Sequence, residues 1–572
     1  EYNSMSIETF DPTLKDDFYS VKDLDNKTRQ NITQIVKVEK QDVDVVNEVF
    51  KTQFENAKNS VNRISILKAA AGLGKTETII SEPNTIITAP NHKLKREIAD
   101  RMDAKGLEYV VTPHPPTFDS KELNIRREEL QSMGESRAAS ELLHNVEEGK
   151  EIEGIDYSPE DSDKAKKFFE ELTIAYKAEC TVITTHARIM LTPQLFENKE
   201  TVIMDENPIS ELIKAKSVGY DVIQRCINRA LNDSSLNGLL KEYILAIKDK
   251  IDNAIDNKEL SISTSYDDYA GELDEYLQMK KGVAPLKALI DANKIFKSVY
   301  LGVVSYNYGS VQQFSKVFKK VLIVSADANR STFERVLDED FDFFHSGFVK
   351  NKKDIIQHNV KSYSKTSMNA RNFEYPNISY PTVLTYKSER SKFPIQQEHY
   401  YGNLIGIDQY KGKDISYVGT PIPPSGSTII KALLLGYDVK DISKGLNTAK
   451  TEFYQFPFFT FNNPILRAIE LEDIERELVQ ALGRGRTIRK ECNAELFSSF
   501  PVIEADIQIG KKLFKSDEVL DVKTLSTEYN KKYTFDELFA QEAKQTREEI
   551  EIEMTQGDYY TGQHTIKFNA NI

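Results

Sequence analysis

The stretch ISILKAAAGLGKTET, residues 64–78, joins a β-branched apolar run to a glycine-rich loop and then to residues that favour a helix. Gly72 and Gly74 allow the backbone to curl so that successive amides point at phosphates, and the N-terminus of the next helix adds positive potential. Lys75 can then reach the β- and γ-phosphates of ATP, and the Thr76 hydroxyl can bind Mg²⁺. A simple glycine-rich turn is the alternative, but strand, glycines, Lys and Thr in this order favour a phosphate loop. The predicted nucleotide-binding residues are Ala69, Gly72, Leu73, Gly74, Lys75, Thr76 and Glu77.

Outward from this loop, short apolar runs alternate with helix-prone stretches, as in a doubly wound parallel sheet. Further strand candidates that stop at polar residues are NTIITAP at 84–90, CTVITTHA at 180–187, TVIMDEN at 201–207 and VLIVSAD at 321–327. The sequence therefore predicts an α/β first lobe built from residues 63–117, 172–209 and 321–350.

The third of these runs ends in polar residues that include an acidic pair, Asp205 and Glu206. This pair lies at the carboxyl end of the predicted strand, where open α/β sheets bind ligands. In isolation such a pair is more often a solvated strand end, and the phosphate loop upstream reverses that preference. We expect Asp205 to hold Mg²⁺ together with Thr76, and Glu206 to orient and deprotonate the water that attacks the γ-phosphate.

A second set of strand candidates predicts a second lobe over residues 351–500. Its runs are YPTVLTY at 380–386, DISYVGTP at 414–421 and EFYQFPFFTF at 452–461. Near its end, QALGRGRTIR at 480–489 follows an amphipathic helical pattern and carries three arginines. A guanidinium suits the charge that develops on a γ-phosphoryl group, and Arg484 is the first candidate. A basic cluster at a helix end can equally complement the helix dipole or hold nucleic acid.

The remaining segments are charged and prone to form helices. Residues 118–171 and 210–320 interrupt the first lobe and are predicted as helical insertions. Residues 1–62 form a partly helical N-terminal segment. Residues 501–572 form a C-terminal extension with a charged helical stretch and a strand-like end, HTIKFNANI.

Composition limits the classes of function. The formal charge of −14 and the pI near 5.4 argue against a protein that coats nucleic acid through its overall charge, although a basic groove along one strand is compatible with them. No apolar run is long enough to cross a bilayer and the first residues are acidic and polar, so we expect a cytoplasmic protein. The three cysteines are scattered and the eight histidines lack HxxxH or HExxH spacing, so neither a disulfide framework nor a zinc-type catalytic site is expected.

These elements and their order resemble the superfamily-2 helicases, which have two RecA-like lobes, over somewhat more than half of the chain. The family pattern AxxGxGKT is matched at 69–76. TAPNHKL at 88–94 and ITTHA at 183–187 are similar to first-lobe motifs of the family, and VSADA at 324–328 is similar to its SAT motif, with Asp327 in place of Thr. VLTY at 383–386 and YVGTP at 417–421 fall where the nucleic-acid motifs of the second lobe are expected.

The resemblance implies a role for each matching residue. Residues expected in catalysis are Lys75, Asp205, Glu206, Gln480, Arg484, Arg486 and Arg489. Residues expected to couple hydrolysis to movement are Ser325, Ala326 and Asp327. Residues expected to contact nucleic acid are Thr88, Pro90, Asn91, His92, Thr185, His186, Tyr386, Lys387, Gly419 and Thr420.

Two departures from the family pattern leave assignments open. DENP stands where DEAD or DEAH is commoner, and QxxGRxR stands where QxxGRxxR is usual, so Arg486 and Arg489 are alternatives for the second arginine. The insertions resemble those of the iron–sulfur helicases in placement, but the first insertion lacks the four cysteines that a cluster requires, which excludes one.

The sequence thus predicts an enzyme that couples hydrolysis of ATP, with Mg²⁺, to movement along nucleic acid, with DNA favoured over RNA, in replication, recombination or repair. One alternative is a translocase that remodels duplex DNA without unwinding it, as in restriction or defence. Another is a nucleotide-switched binding or scaffold protein with a vestigial ATPase. The abundance of Lys, Asn, Ile and Tyr is typical of phage or mobile-element proteins, which would place the protein in a host cytoplasm. Protein partners are expected at the insertions or the C-terminal extension, and no membrane partner is expected.

Overall fold

The computed structural model describes residues 6–9, 32–37, 39–510 and 514–515, apart from short internal gaps. The gaps are residues 133–135, 153, 197, 214, 256–257, 281, 293, 299–302, 308–314, 338, 405–406 and 408. The charged helical stretch and the strand-like end that were predicted for the C-terminal extension lie outside the described residues.

Strands and helices are numbered in chain order. The strands are β1 (Ser6–Thr9), β2 (Ile32–Lys37), β3 (Lys40–Gln41), β4 (Ile64–Lys68), β5 (Ile86–Ala89), β6 (Tyr109–Val111), β7 (Thr181–Thr185), β8 (Thr201–Asp205), β9 (Ala215–Gly219), β10 (Lys294–Ser298), β11 (Val303–Asn307), β12 (Lys320–Ser325), β13 (Phe341–His345), β14 (Phe348–Val349), β15 (Ile355–Asn359), β16 (Thr382–Leu384), β17 (Ile415–Val418), β18 (Lys444–Lys450), β19 (Tyr454–Phe461), β20 (Ala494–Phe497), β21 (Ile507–Gly510) and β22 (Phe514–Lys515). The α-helices are α1 (Val43–Asn59), α2 (Lys75–Ile79), α3 (His92–Ala104), α4 (Lys121–Ser132), α5 (Ser136–Glu147), α6 (Pro159–Lys177), α7 (His186–Leu191), α8 (Ile209–Leu212), α9 (Tyr220–Leu231), α10 (Gly238–Asp252), α11 (Ala270–Met279), α12 (Ala284–Ile290), α13 (Arg330–Val336), α14 (Lys365–Met368), α15 (Ser425–Leu434) and α16 (Pro464–Leu482).

The first sheet has the strand order β13-β4-β12-β8-β5-β7-β6, and every pair in it is parallel. Strand β12 lies between β4 and β8, so Ile323 pairs with Ile66 on one side and Met204 on the other. Parallel strands end at one edge of a sheet, and the loops that follow β4, β8 and β12 therefore meet there.

Both faces of this sheet are buried, as expected of continuous apolar strands in a parallel sheet. Leu67 faces a cluster that includes Phe50 of α1 and Ile98 of α3. Ile66, its neighbour, faces the opposite cluster, which includes Phe333 of α13. The alternation follows from the period of two along a strand.

The second sheet has the order β1-β2-β21-β15-β20-β17-β16, in which β21 through β16 are parallel and β1 and β2 are antiparallel additions. Strands from the N-terminal segment and from beyond residue 500 thus complete it. Strand β19, predicted as part of the second lobe, pairs antiparallel with β18 and β22 outside this sheet. Two mainly parallel sheets flanked by helices confirm the predicted α/β class with two RecA-like lobes.

The two lobes pack directly on each other. Ile429 and Leu433 of α15, in the second lobe, belong to the same hydrophobic cluster as residues of the first sheet. Glu472 of α16 accepts a hydrogen bond from Arg335 of α13 at 2.6 Å. Apolar contacts and an ion pair therefore stabilise the packing of the two lobes on each other.

The two insertions differ in architecture. The first contains α4, α5 and the beginning of α6. The second contains α9 to α12, but it also holds an antiparallel sheet with the order β9-β11-β10. The prediction of a helical second insertion was wrong for residues 215–219, 294–298 and 303–307, because the helix α12 ends at Ile290 and β9 and β10 each pair with β11. Within the described ranges, no helix combines the length and apolar character needed to cross a membrane.

Candidate active site

The loop between β4 and α2 has the backbone shape that the glycines permit. Gly72 and Gly74 have φ values of 86° and 107°, in the left-handed region that L side chains rarely adopt. Gly74 is the N-cap of α2, and Lys75 begins the helix. The Lys75 side chain is only 6% exposed, and its Nζ donates to the Ala69 carbonyl at 3.3 Å. The Lys75 amine thus lies against the backbone at the start of the loop.

The first acidic residue, Asp205, lies beside this loop at the end of β8. Its Oδ2 accepts a hydrogen bond from the Thr76 hydroxyl at 2.8 Å, while Oδ1 is buried and has no hydrogen-bond partner among the described residues. Burial and the neighbouring Glu206 raise the pKa of Asp205 to about 6, against the opposing pull of Lys75. A buried carboxylate with an unmatched oxygen next to a hydroxyl fits a divalent cation.

The second acidic residue, Glu206, is held in a strained backbone conformation with φ at 79°. Its Oε1 is 3.9 Å from the Lys75 Nζ. Burial favours a higher pKa, but Lys75, Arg484 and a hydrogen bond from Gln480 outweigh it and hold the pKa of Glu206 below its ordinary value. Glu206 is therefore kept ionised, with cationic groups of both lobes around it.

The end of β12 lies against the same carboxylate. The Ser325 hydroxyl is buried and contacts Glu206 Oε2 at 3.4 Å, and it also donates to the Asp327 side chain. Ala326 is buried beside them. The three residues predicted to couple hydrolysis to movement thus begin in contact with Glu206 and lead into α13.

The second lobe brings the end of α16 and the turn after it to the phosphate loop. Arg484 is 8% exposed and donates from Nη2 to Gln480 Oε1 at 2.7 Å. Arg489 donates from Nε to the Gly72 carbonyl at 2.5 Å and from Nη2 to the Leu73 carbonyl at 2.8 Å. The structure thus brings the arginine cluster onto the loop that the sequence predicts as nucleotide-binding.

Arg486 and Gly483 complete this contact between the lobes. Arg486 adopts φ at 57°, and its Cδ lies 3.2 Å from the position that a Cβ on Gly72 would occupy. A Cβ on Gly483 would lie 2.6 Å from the Ala71 Cβ. Both arginines that the sequence leaves as alternatives therefore touch the loop, Arg486 through its side-chain carbons and Arg489 through hydrogen bonds.

One residue near the loop escaped sequence reasoning. The Asn47 Oδ1 lies 3.7 Å from the position of a Cβ on Gly74. Asn47 belongs to α1, whose helical pattern was recognised from its apolar spacing, but spacing does not tell which polar residue of a helix will face a distant loop. Asn47 thus extends the site to the N-terminal helix.

Among the first-lobe residues predicted to contact nucleic acid, three are buried and three are half-buried. The buried residues are Thr88, Thr185 and His186, and the half-buried residues are Pro90, Asn91 and His92. Thr88 and His186 are buried and hydrogen-bond each other, and Thr185 caps α7 by accepting from the Arg188 amide at 3.2 Å. Asn91 caps α3 by accepting from the Leu94 amide at 2.9 Å. Pro90 is half-buried immediately before it.

His92, at the start of α3, is half-buried and lies among several basic side chains, which we call the cation group. Burial, followed by Lys95, His114, Arg188 and Arg96, lowers the pKa of His92 to about 4. Burial and the two arginines also lower the pKa of Lys95 to about 8. The sequence pattern did not single out Lys95, Arg96, His114 or Arg188, because residues of three separate segments form the group.

The second-lobe residues predicted to contact nucleic acid are also mostly internal. The Tyr386 hydroxyl donates to the carbonyls of Tyr363 and Thr420, and the Thr420 side chain is fully buried. Gly419 has φ at 144°, and a Cβ there would meet the Tyr386 ring at 3.0 Å. Lys387 is exposed, with Nζ 5.7 Å from the centre of the Tyr400 ring.

Sequence reasoning also missed two neighbours of Lys387, Arg390 and Tyr400. The Arg390 guanidinium lies 5.2 Å from the centre of the half-buried Tyr400 ring. Burial lowers the pKa of His399, Glu398 opposes this, and Lys93 of the first lobe adds to the fall. Lys93, at the start of α3, therefore lies within electrostatic range of His399 in the second lobe.

Comparisons with known proteins give distant likenesses of fold. No family model and no curated protein matches the chain. Among solved structures, "Structure of S. tokodaii Xpd4" has a TM-score of 0.43 and 11% sequence identity, with 80% of this chain and 95% of that chain covered. Another, "XPD_APO", has a TM-score of 0.41 and 12% identity, with 80% and 95% covered.

The site offers few protein ligands for a metal ion. Among the described residues, no group of three or more His, Cys, Asp or Glu side chains could hold one. Thr76 and Asp205 are the two ligands that the sequence predicts, and two protein groups suit Mg²⁺, which binds through one or two such groups together with substrate phosphates and water.

Proposed function

We propose that the protein is an ATP-driven motor that hydrolyses ATP between its two lobes and uses the cycle to move along nucleic acid, with DNA as the first candidate. One observation carries the proposal. Glu206 lies between Lys75 of the first lobe and Gln480 and Arg484 of the second. The electrostatic surroundings of this one carboxylate therefore depend on how the two lobes are aligned.

The residues around Glu206 can divide the chemistry of hydrolysis among them. Mg²⁺, bound at Thr76 and Asp205, would supply positive charge against the β- and γ-phosphates. Lys75 and the amides of the loop bind and orient the phosphates. Glu206 is ionised and positioned to accept a proton from the attacking water, and Arg484 can neutralise charge on the γ-phosphoryl oxygens.

Two groups of basic side chains, one in each lobe, support binding of a nucleic-acid strand. In the first lobe, Lys95, Arg96 and Arg188 concentrate positive charge around His92, although the chain as a whole has a net charge of −14. In the second lobe, Lys387 and Arg390 flank the half-buried Tyr400. Local cations suit phosphates and an aromatic face suits an unpaired base, a combination typical of single-strand binding.

A continuous route joins the hydrolysis site to the lobe contact. Ser325 touches Glu206, and the chain then enters α13, whose Arg335 pairs with Glu472. Glu472 lies on α16, two turns before Gln480 on the same helix. A change at Glu206 during hydrolysis can therefore reach α16 at two places, at Glu472 in its middle and at Gln480 near its end, which is the kind of coupling that a motor requires.

The proposal is tested by ATPase assays with single-stranded DNA, duplex DNA and RNA as separate stimulants. We expect stimulation by single-stranded DNA, and a loss of about 100-fold or more in kcat for Lys75→Ala and for Glu206→Gln. Matched controls are Lys51→Ala and Glu82→Gln, which change the same residue types away from the cleft. Parental turnover in either site variant would refute the proposal.

The assay also separates the alternatives. Stimulation by duplex DNA alone, without displacement of a strand from a forked substrate, would favour a duplex translocase. Binding of ATP without turnover under any condition would favour a nucleotide-switched scaffold. Both outcomes would contradict a single-strand motor.

A further inference from the structure

A buried histidine occupies the strand end beside the acidic pair without a role in the chemistry described above. His186 is 1% exposed and begins α7, directly after β7. Histidine is seldom fully buried unless its ring nitrogens are engaged. Its surroundings therefore indicate what the side chain does.

The ring of His186 bonds to the neighbouring strand, β5. In the first sheet β5 lies between β7 and β8, and Thr88 of β5 pairs with Thr184 on one side and Met204 on the other. His186 Nδ1 is 2.7 Å from the Thr88 hydroxyl. The second ring nitrogen, Nε2, is buried without a hydrogen-bond partner among the described residues.

The register of β5 places His186, which follows β7, and the acidic pair at the end of β8 on either side of the end of β5. Burial lowers the pKa of His186 to about 4, while the Glu206 carboxylate and the backbone of Asp205 and Glu206 oppose that fall. The imidazole is therefore neutral, and it bonds the Thr88 hydroxyl within electrostatic range of Glu206. A neutral ring can bond Thr88 in either tautomer without adding a charge next to the acidic pair.

The Glu206 backbone needs such support. Its φ of 79° is unfavourable for a residue with a side chain, and a conformation of this kind persists only when its surroundings impose it. One restraint is the hydrogen bond from the Glu206 amide to the Val324 carbonyl at 3.0 Å.

We propose that Thr88 and His186 form a positioning pair that holds the Glu206 turn in its catalytic geometry and makes ATP hydrolysis respond to nucleic acid. The chain connects this pair directly to the proposed nucleic-acid contact, because β5 ends at Ala89 and is followed within three residues by His92 and the cation group. A strand bound there displaces the end of β5, and the Thr88 hydroxyl carries that displacement through His186 to Glu206. This inference rests on the proposed function and names the elements that regulate it.

The pair is tested with variants that remove or replace single atoms. Thr88→Val removes the hydroxyl at constant size, and His186→Phe removes both ring nitrogens. His186→Asn restores a polar atom at the place of Nδ1, whereas His186→Gln restores one nearer Nε2. Thr112→Val is the matched control, because its buried hydroxyl bonds Thr184 in the same sheet at 3.0 Å without touching the pair.

We expect Thr88→Val and His186→Phe each to lower the kcat for ATP about tenfold with KM for ATP within about twofold, which is a difference of about 1.4 kcal/mol in the barrier. The double variant should lose no more than either single variant, and His186→Asn should recover most of the rate. Additive losses, rescue by Gln rather than Asn, or an equal loss in Thr112→Val would overturn the proposal.

The same measurements keep the two proposals apart. If the parental protein hydrolyses ATP but ignores DNA and RNA, the motor function fails, and the positioning of Glu206 is still judged by the unstimulated kcat of these variants. If nucleic acid stimulates the parent and all pair variants to the same degree with unchanged kcat, the motor function stands and the pair is refuted.

Discussion

Asp205→Asn should stabilise the protein while abolishing its Mg²⁺-dependent turnover. The carboxylate of Asp205 is buried, and its pKa rises from the ordinary value of 3.8 to about 6 because of burial and the adjacent Glu206. This rise corresponds to a penalty of about 3 kcal/mol on the ionised form in the folded protein. An amide of the same shape carries no such penalty, and its oxygen can still accept the Thr76 hydrogen bond.

The sign of the pH dependence follows from the direction of the shift. The folded protein holds the Asp205 proton more tightly than the unfolded chain, so the parental protein loses stability as pH rises from about 4 to about 6. The advantage of Asp205→Asn should be absent at pH 4, grow through this interval and be constant above it. At pH 8 we expect a rise in Tm of several degrees.

Thermal unfolding at a series of pH values, without nucleotide, measures this difference. Asp100→Asn, an exposed change on α3, serves as the control and should shift Tm little at any pH. Saturating Mg-ATP should reverse the order of the two proteins, because only the parent gains the full stabilisation of a bound ligand. A variant that is no more stable than the parent at pH 8, or equally more stable at pH 4 and pH 8, would refute the reasoning.

Three further predictions address the contact between the lobes. Gly483→Ala places a Cβ 2.6 Å from the Ala71 Cβ, so it should lower kcat at least about tenfold while a fluorescent ATP analogue still binds; unchanged turnover would contradict the observed closeness. Glu472→Gln should weaken the contact between the lobes, because Arg335 loses a charged acceptor at 2.6 Å and the two side chains are only 17% and 15% exposed. A double-mutant cycle with Arg335→Gln, measured by urea unfolding, should give a coupling free energy of about 1 kcal/mol or more. Additive effects of the two changes would contradict a stabilising ion pair. Arg489→Ala should lower kcat by about 1,000-fold if this arginine is the second of the motif, and Arg489→Lys should not restore it, since a lysine lacks the fork that spans two carbonyls of the loop.

Much of the first lobe could be predicted because its signals are local. A strand shows itself by a short apolar run, and the runs that end at Lys68, Ala89, Thr185, Asp205 and Ser325 all form neighbouring strands of one sheet. The phosphate loop and the acidic pair are each contiguous in sequence, and the rule that parallel strands end at one edge is enough to place them together. The hydrogen bond between Thr76 and Asp205 agrees with that expectation.

The second insertion was harder to predict for a physical reason. Its strands β9 and β10 are separated by almost the whole insertion in sequence, and each pairs with β11. A short edge strand gains its stability from such pairing rather than from its own composition, so a local pattern cannot distinguish it from the end of a helix.

The sequence by itself determined that this chain has a glycine-rich loop at Gly74 and Lys75 between a strand and a helix, an acidic pair after a buried strand, and an arginine cluster in a second α/β lobe, because spacing and periodicity carry those features. Only the tertiary structure decided that Arg489 hydrogen-bonds the loop and that His186 bonds Thr88 on the neighbouring strand β5. Such contacts join residues far apart in the chain, and they depend on how sheets and lobes pack, which no local pattern records.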